Sequence, residues 1–146
     1  MSRFTHILVV SPLADGNTWA LMREFGYRRE IDGAEEPIDI PEGFLTDFAS
    51  VPPFAQWLIP KWGKYGNPAV VHDWLYWKQT KSRRYADETL LDAMNVTGVD
   101  FVRKYAIYLA VRCFGWWAWM RNAEDRVSGF DRVLPSSQLT QGMTSA

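Results

Sequence analysis

The stretch from Gly66 to Met94 constrains the fold more than any other part of this chain. Asn67 reads as an N-cap, and Pro68 takes the first helical position, where its missing N–H costs nothing. His72 and Asp73 fall a turn further in, and Tyr76 follows one turn later on the His72 face. Ser82 caps a second helix, on which Asp87 lies among Ala86, Leu90, Leu91 and Met94. The turn between the two helices is so short that they pack antiparallel, and Asp87 can then face His72. An imidazole held by one carboxylate, with a second carboxylate beside it, is the hardware of general-base hydrolysis.

Upstream, Phe4 to Leu13 is apolar and β-branched, and Ala14-Asp15-Gly16-Asn17 marks a turn. Thr18 to Arg29 partly alternates, as a strand paired to the first would, with a helix over Trp19 to Phe25 as the alternative. Asp32-Gly33-Ala34 is a second turn, and Pro37 to Pro41 is a short extended piece whose prolines suit a sheet edge. Glu42 to Pro53 combines glycine, paired prolines and small hydroxyl residues, the composition of an ordered loop. There Asp47 and Ser50 either bond backbone amides and cap a short helix over Pro53 to Leu58, or Asp47 reaches toward His72 and Asp73.

Downstream, Gly98 stops the second helix and Asp100 caps a third, from Phe101 to about Arg121. Val102, Ala106, Leu109, Ala110, Cys113 and Trp117 recur at helical spacing and are expected to face the core, which makes Cys113 a buried structural thiol. The pattern predicts one α+β domain over residues 1–135. It consists of a small N-terminal antiparallel β-meander, a proline-rich loop and three helices, and residues 136–146 form a disordered tail.

A net charge of −1 gives no reason to expect nucleic acid as a partner. The longest apolar run, Ile107 to Met120, is too short to span a bilayer and contains Arg112. No signal peptide is visible either, so the expectation is a soluble protein in the cytoplasm where it is made.

With only two histidines, and His6 and Cys113 far from His72 in the chain, a zinc site is not expected. Asp73 and Asp47 instead suit a hard cation such as calcium or magnesium, with backbone carbonyls of the Asp47 loop completing the shell. A triad of Ser50, His72 and Asp87 is another arrangement, but it lacks the Gly-x-Ser-x-Gly elbow. The plainer alternative is a satisfied polar network in which His72 and Asp73 hold the helices to the Asp47 loop.

The His72-Asp73-x-x-Tyr76 unit resembles the calcium-dependent secreted and parvoviral phospholipase A2 superfamily. That resemblance implies His72 as the base, Asp73 as a calcium carboxylate, Tyr76 as a supporting hydroxyl, and Asp87 as the group that orients the imidazole. The superfamily's glycine-rich calcium loop has no counterpart here beyond Lys64 to Asn67, and the disulfides of its secreted members are missing.

A second resemblance is more extensive. Pro41-x-Gly43-Phe44-x-Thr46-Asp47-x-Ala49-Ser50-x-Pro52, His72-Asp73-x-Leu75-Tyr76, Ser82 to Asp87 and Tyr108 to Gly115 occur in this order. Together they resemble a family of small phage and prophage proteins catalogued as a domain of unknown function, DUF1353. The resemblance implies a phage or prophage gene, and a polar signature of Asp47, Ser50, His72, Asp73, Tyr76, Arg84 and Asp87. It brings no established activity.

The Trp-rich end, Trp116 to Arg121, suits a lipid interface or a protein contact through Trp116 and Trp119. Two functions follow. One is a metal-assisted ester hydrolase, with His72 activating water, Asp87 orienting it, Asp73 and Asp47 holding Ca2+, Tyr76 and Arg84 in support, and lipid or cell-envelope material as substrate. The other is a non-catalytic virion or assembly component that meets phage structural proteins through its Trp-rich helix.

Overall fold

The computed structural model describes residues 1–48 and 63–139. Ser50 and the short helix expected over Pro53 to Leu58 lie outside the described residues, as do residues 140–146 of the expected tail. The architecture is α+β, with small antiparallel sheets at the N-terminus followed by helices.

The strands are β1 (Arg3–Phe4), β2 (Val10–Pro12), β3 (Trp19–Leu21), β4 (Phe25–Ile31), β5 (Ala34–Ile40) and β6 (Leu45–Thr46). They form two three-stranded sheets, ordered β1-β4-β5 and β2-β3-β6. The first two sequence segments pair in one register throughout, with Arg3 opposite Arg28 and Pro12 opposite Trp19. They are therefore a single long hairpin that bends midway and passes from one sheet to the other. Its tip is closed by the Asp15 carboxylate, which accepts the N–H groups of Asn17 and Thr18. The β4–β5 hairpin turns on Asp32 and Gly33, at φ 52° and 81°, the left-handed pair that a two-residue hairpin needs. Pro37 lies on β5, an edge strand, where its missing N–H breaks no ladder.

Gly43 sits at φ 90°, and a Cβ there would come within 2.2 Å of the Leu134 carbonyl. The reason is that residues 132–134 return to pair beside β6. Leu134 N–H donates to Gly43 O and Leu45 N–H donates to Arg132 O.

Among the described residues four long helices follow, α1 (Gly66–Lys78), α2 (Arg83–Thr97), α3 (Phe101–Phe114) and α4 (Trp116–Val127), and residues 136–139, in the tail expected to be disordered, are helical as well. The first starts earlier than Asn67 would have it, with Tyr65 at the cap position and no side-chain cap. A turn closed by Gly66 N–H on Gly63 O already winds the chain there, and Ala69 N–H bonds Tyr65 O. Helix α1 is buried on nearly every side because it touches α2, α4, β5 and β6. Its Val70, Val71 and Leu75 join Phe25, Tyr27, Ile40 and Phe44 of the strand region and Leu90 and Met94 of α2 in one core. Ser82 caps α2 by accepting Tyr85 N–H. Gly98 ends it in the left-handed conformation, with Val99 N–H on Met94 O.

Asp100 caps α3 as expected, but the span to Arg121 is divided at Gly115. Its inner face is also different. Val102 is 72% exposed, Leu109 59% and Trp117 68%, and the Cys113 thiol is exposed, while Ile107 is the buried side chain of α3. The helix is apolar on two sides, so periodicity alone could select either. The side turned inward is the one carrying Ile107 and Val111, and Arg112, from the neighbouring side, reaches Asp87. Of the two tryptophans expected to make outside contacts, Trp116 is exposed, whereas Trp119 packs edge-on against Tyr76 at 5.2 Å. Among the described residues no helix is long and apolar enough to cross a membrane.

Candidate active site

Helix periodicity puts His72 and Tyr76 on the face of α1 that α2 covers, and their rings lie 4.1 Å apart. Opposite them, Asp87 is wholly buried on α2 (0% exposed). Its Oδ1 accepts His72 Nε2–H at 2.8 Å and the Tyr76 hydroxyl at 2.7 Å. Its Oδ2 accepts Arg112 Nη1–H at 2.8 Å and Arg83 Nη1–H at 3.2 Å. One carboxylate thus gathers four donors from three helices.

Burial alone would raise the Asp87 pKa, but hydrogen bonds from His72, Tyr76 and Arg112, with the charge of His72, outweigh it and hold the group below its ordinary value. The Tyr76 hydroxyl moves the other way, raised by burial and by the Asp87 charge. An ionised carboxylate only accepts hydrogen bonds, so Nε2 carries a proton, and whenever the imidazole is neutral the lone pair is on Nδ1. Nδ1 is buried and has no hydrogen-bond partner among the described residues.

Asp73 turns toward β6, where the Thr46 hydroxyl donates to its Oδ2 at 2.5 Å. Thr46 Oγ1 in turn accepts Phe48 N–H, and Phe48 is held at φ 57°, a costly conformation for a bulky side chain. At the start of α1, burial first, then the charges of Asp73 and Asp47, raise the Tyr65 hydroxyl pKa.

The sequence-derived set divides as follows. His72, Tyr76 and Asp87 meet directly, and Asp73 bonds Thr46, the last residue of β6 and the neighbour of Asp47 in the chain. Ser50 lies outside the described residues. Arg84 is not part of the cluster: its side chain is 75% exposed and pairs with Glu88 at 2.8 Å. Its expected place is taken by Arg83, four residues before Asp87, which also donates to the Val111 and Arg112 carbonyls in the last turn of α3. The i,i+4 spacing from Arg83 to Asp87 was a usable signal, though Arg84 at i,i+3 fits the same rule. Arg112, Thr46 and Tyr65 carried no local signal, since each reaches the site across the fold.

Gly115 completes the enclosure. A Cβ at this position would lie 2.3 Å from the Tyr76 hydroxyl, so the α3–α4 junction can approach Tyr76 only as glycine.

The donor set allows base chemistry at Nδ1. Among the described residues no group of three or more His, Cys, Asp or Glu side chains converges on a point. The chain matches no curated protein and no solved structure. A family profile described as "Protein of unknown function (DUF1353)" matches residues 19–111, a segment that contains the whole hairpin return, the β6 loop, His72, Asp73, Asp87 and most of α3. The chain belongs to the DUF1353 family.

Proposed function

We propose that this protein is a phage- or prophage-encoded ester hydrolase with lipid or envelope material as its substrate and His72 Nδ1 as its general base. One observation carries the reading: Asp87 fixes the Nε2–H tautomer, and the lone pair of the buried Nδ1 is committed to no described residue. Water bonded to Nδ1 gives up its proton there as its oxygen adds to the ester carbonyl carbon. The imidazolium then returns that proton to the departing alkoxide as the C–O bond breaks, leaving acid and alcohol. Asp87 stabilises the imidazolium in between, as Tyr76, Arg83 and Arg112 hold the carboxylate in place. Asp73 and Asp47 would hold Ca2+, which would supply polarisation of the carbonyl and charge for the oxyanion. Phage origin is supported by the motif resemblance.

The test is hydrolysis of short-chain esters and phospholipid vesicles by wild type and His72→Gln, with calcium varied from none to millimolar. Turnover that falls at least about a hundredfold in His72→Gln, with the melting temperature kept, is the expected result. Equal rates in the two proteins, or no turnover by wild type, would sink the proposal. The alternative, a non-catalytic particle component, is favoured by one observation: the exposed aromatic face of α3 and α4.

A further inference from the structure

The outer face of α3 and α4 carries Phe101, Tyr105, Leu109, Trp116, Trp117 and Met120, all 40% exposed or more. Phe101, Tyr105, Leu109, Trp116 and Met120 follow one another at four or seven residues, which places them along one side with Trp117 next to it. The line continues across Gly115, whose N–H still donates to Val111 O while Trp119 N–H bonds Gly115 O. The opposite side is the one packed on the fold, through Ile107, Val111 and Ala118. Trp116 and Trp117 stack on each other at 4.5 Å, presenting two indoles outward at the junction.

Charge is segregated onto the same span. From Phe101 to Ala123 there is no Asp or Glu, and Arg103, Lys104, Arg112 and Arg121 make it +4 in a chain whose total is −1. Arg112 is committed to Asp87, and Arg103 lies 3.6 Å from Asp100 in an exposed pair. Lys104 donates to the neutral Asn95 and keeps its charge at the surface, and Arg121 is exposed.

We propose that this face docks the protein onto an anionic lipid bilayer. An apolar strip with tryptophans, flanked by cations and free of acids, is what lies flat in the headgroup region of such a surface. Acidic lipids would meet Arg103, Lys104 and Arg121, while the indoles and Leu109 enter the acyl boundary. The inference goes beyond the hydrolase reading and does not need it: none of the side chains in the docking strip is one that bonds His72 or Asp87.

Co-sedimentation with vesicles tests it, using His72→Gln so that hydrolysis cannot alter the lipid. Vesicles of phosphatidylglycerol in phosphatidylcholine would be compared with phosphatidylcholine alone. Binding to the anionic vesicles should be about tenfold tighter or more, and weaken with salt. The double variant Leu109→Ser with Trp117→Ser, both at exposed positions, should lose about tenfold or more of that binding, and Arg121→Glu should weaken the anionic preference alone. No binding, binding unchanged in the double variant, or no preference for anionic lipid would overturn the proposal. So would a dimer in sedimentation velocity that the double variant disperses, since a second copy would then cover the face. Loss of turnover in His72→Gln together with intact docking separates the fate of the two readings.

Discussion

The Asp87 carboxylate accepts the Nε2–H of His72 at 2.8 Å, and this bond alone decides which imidazole nitrogen is left to act. The geometry holds because Asp87 is not free to reorient. Tyr76 shares Oδ1 with His72, and two guanidinium groups occupy Oδ2. The arginines also offset the cost of burying a charge at a position with no solvent exposure. Since one of them comes from α3, the orientation of the base depends on how that helix is seated.

Replacing Asp87 by Asn should therefore destabilise the fold sharply. The amide would turn an N–H2 group toward two of the four donors and leave two arginines without their anion. Breaking a buried pair of this kind costs about 3 kcal/mol or more, read from urea denaturation. A loss below about 1 kcal/mol would show that the carboxylate is not the centre of the helix contact.

Gly115→Ala should perturb the site from outside it. The added methyl meets the Tyr76 hydroxyl and the Val111 carbonyl, at 2.3 Å and 2.4 Å. Overpacking of this sort costs about 1–3 kcal/mol. Tyr76→Phe removes one of the two obstacles, so the double variant should be less unstable than the sum of the singles. A double-mutant cycle measures the difference, and strict additivity would show that the two positions do not touch.

Acid and alkali should act through different groups. Asp87 has a folded-state pKa below its ordinary carboxyl value, so the stability it contributes is complete above that ordinary value. Protonation of the folded state then removes it as pH falls below about 4. At the other end, Tyr27, Tyr65 and Tyr76 are raised by burial first, with nearby aspartates adding to it. Their contribution is complete below the ordinary phenol value and is lost as pH climbs beyond about 10. Urea midpoints across pH should show both declines, and Asp87→Asn should flatten the acid side. An unchanged acid slope in that variant would assign the decline to other carboxylates.

Calorimetric titration with calcium addresses the two aspartates around Tyr65. With two carboxylates from the described residues, binding should be weak, at about 0.1–1 mM. It should disappear in Asp73→Asn and persist in His72→Ala. Binding that survives Asp73→Asn would move any cation site elsewhere.

Much of this was legible in the chain itself, because the signals were local. Asp32-Gly33 dictates its hairpin, Ser82 and Gly98 delimit α2, and the spacing of His72 to Tyr76 with the short turn before Asp87 aligns all three. Such features depend on neighbours a few residues away, and backbone sterics and helix period act at that range. The tertiary structure decided what local rules leave degenerate. Two arginines precede Asp87 at helical spacing, and only the seating of α3 selects Arg83 over Arg84. Helix α3 is apolar on two sides, and packing against the rest of the core turns Ile107 and Val111 inward and leaves Val102, Leu109 and Trp117 outside. The pairing of residues 132–134 beside β6, and the bond from Thr46 to Asp73, join segments far apart in the chain. Contacts of that kind follow from which faces pack, a choice made by the whole core together rather than by any stretch of the sequence.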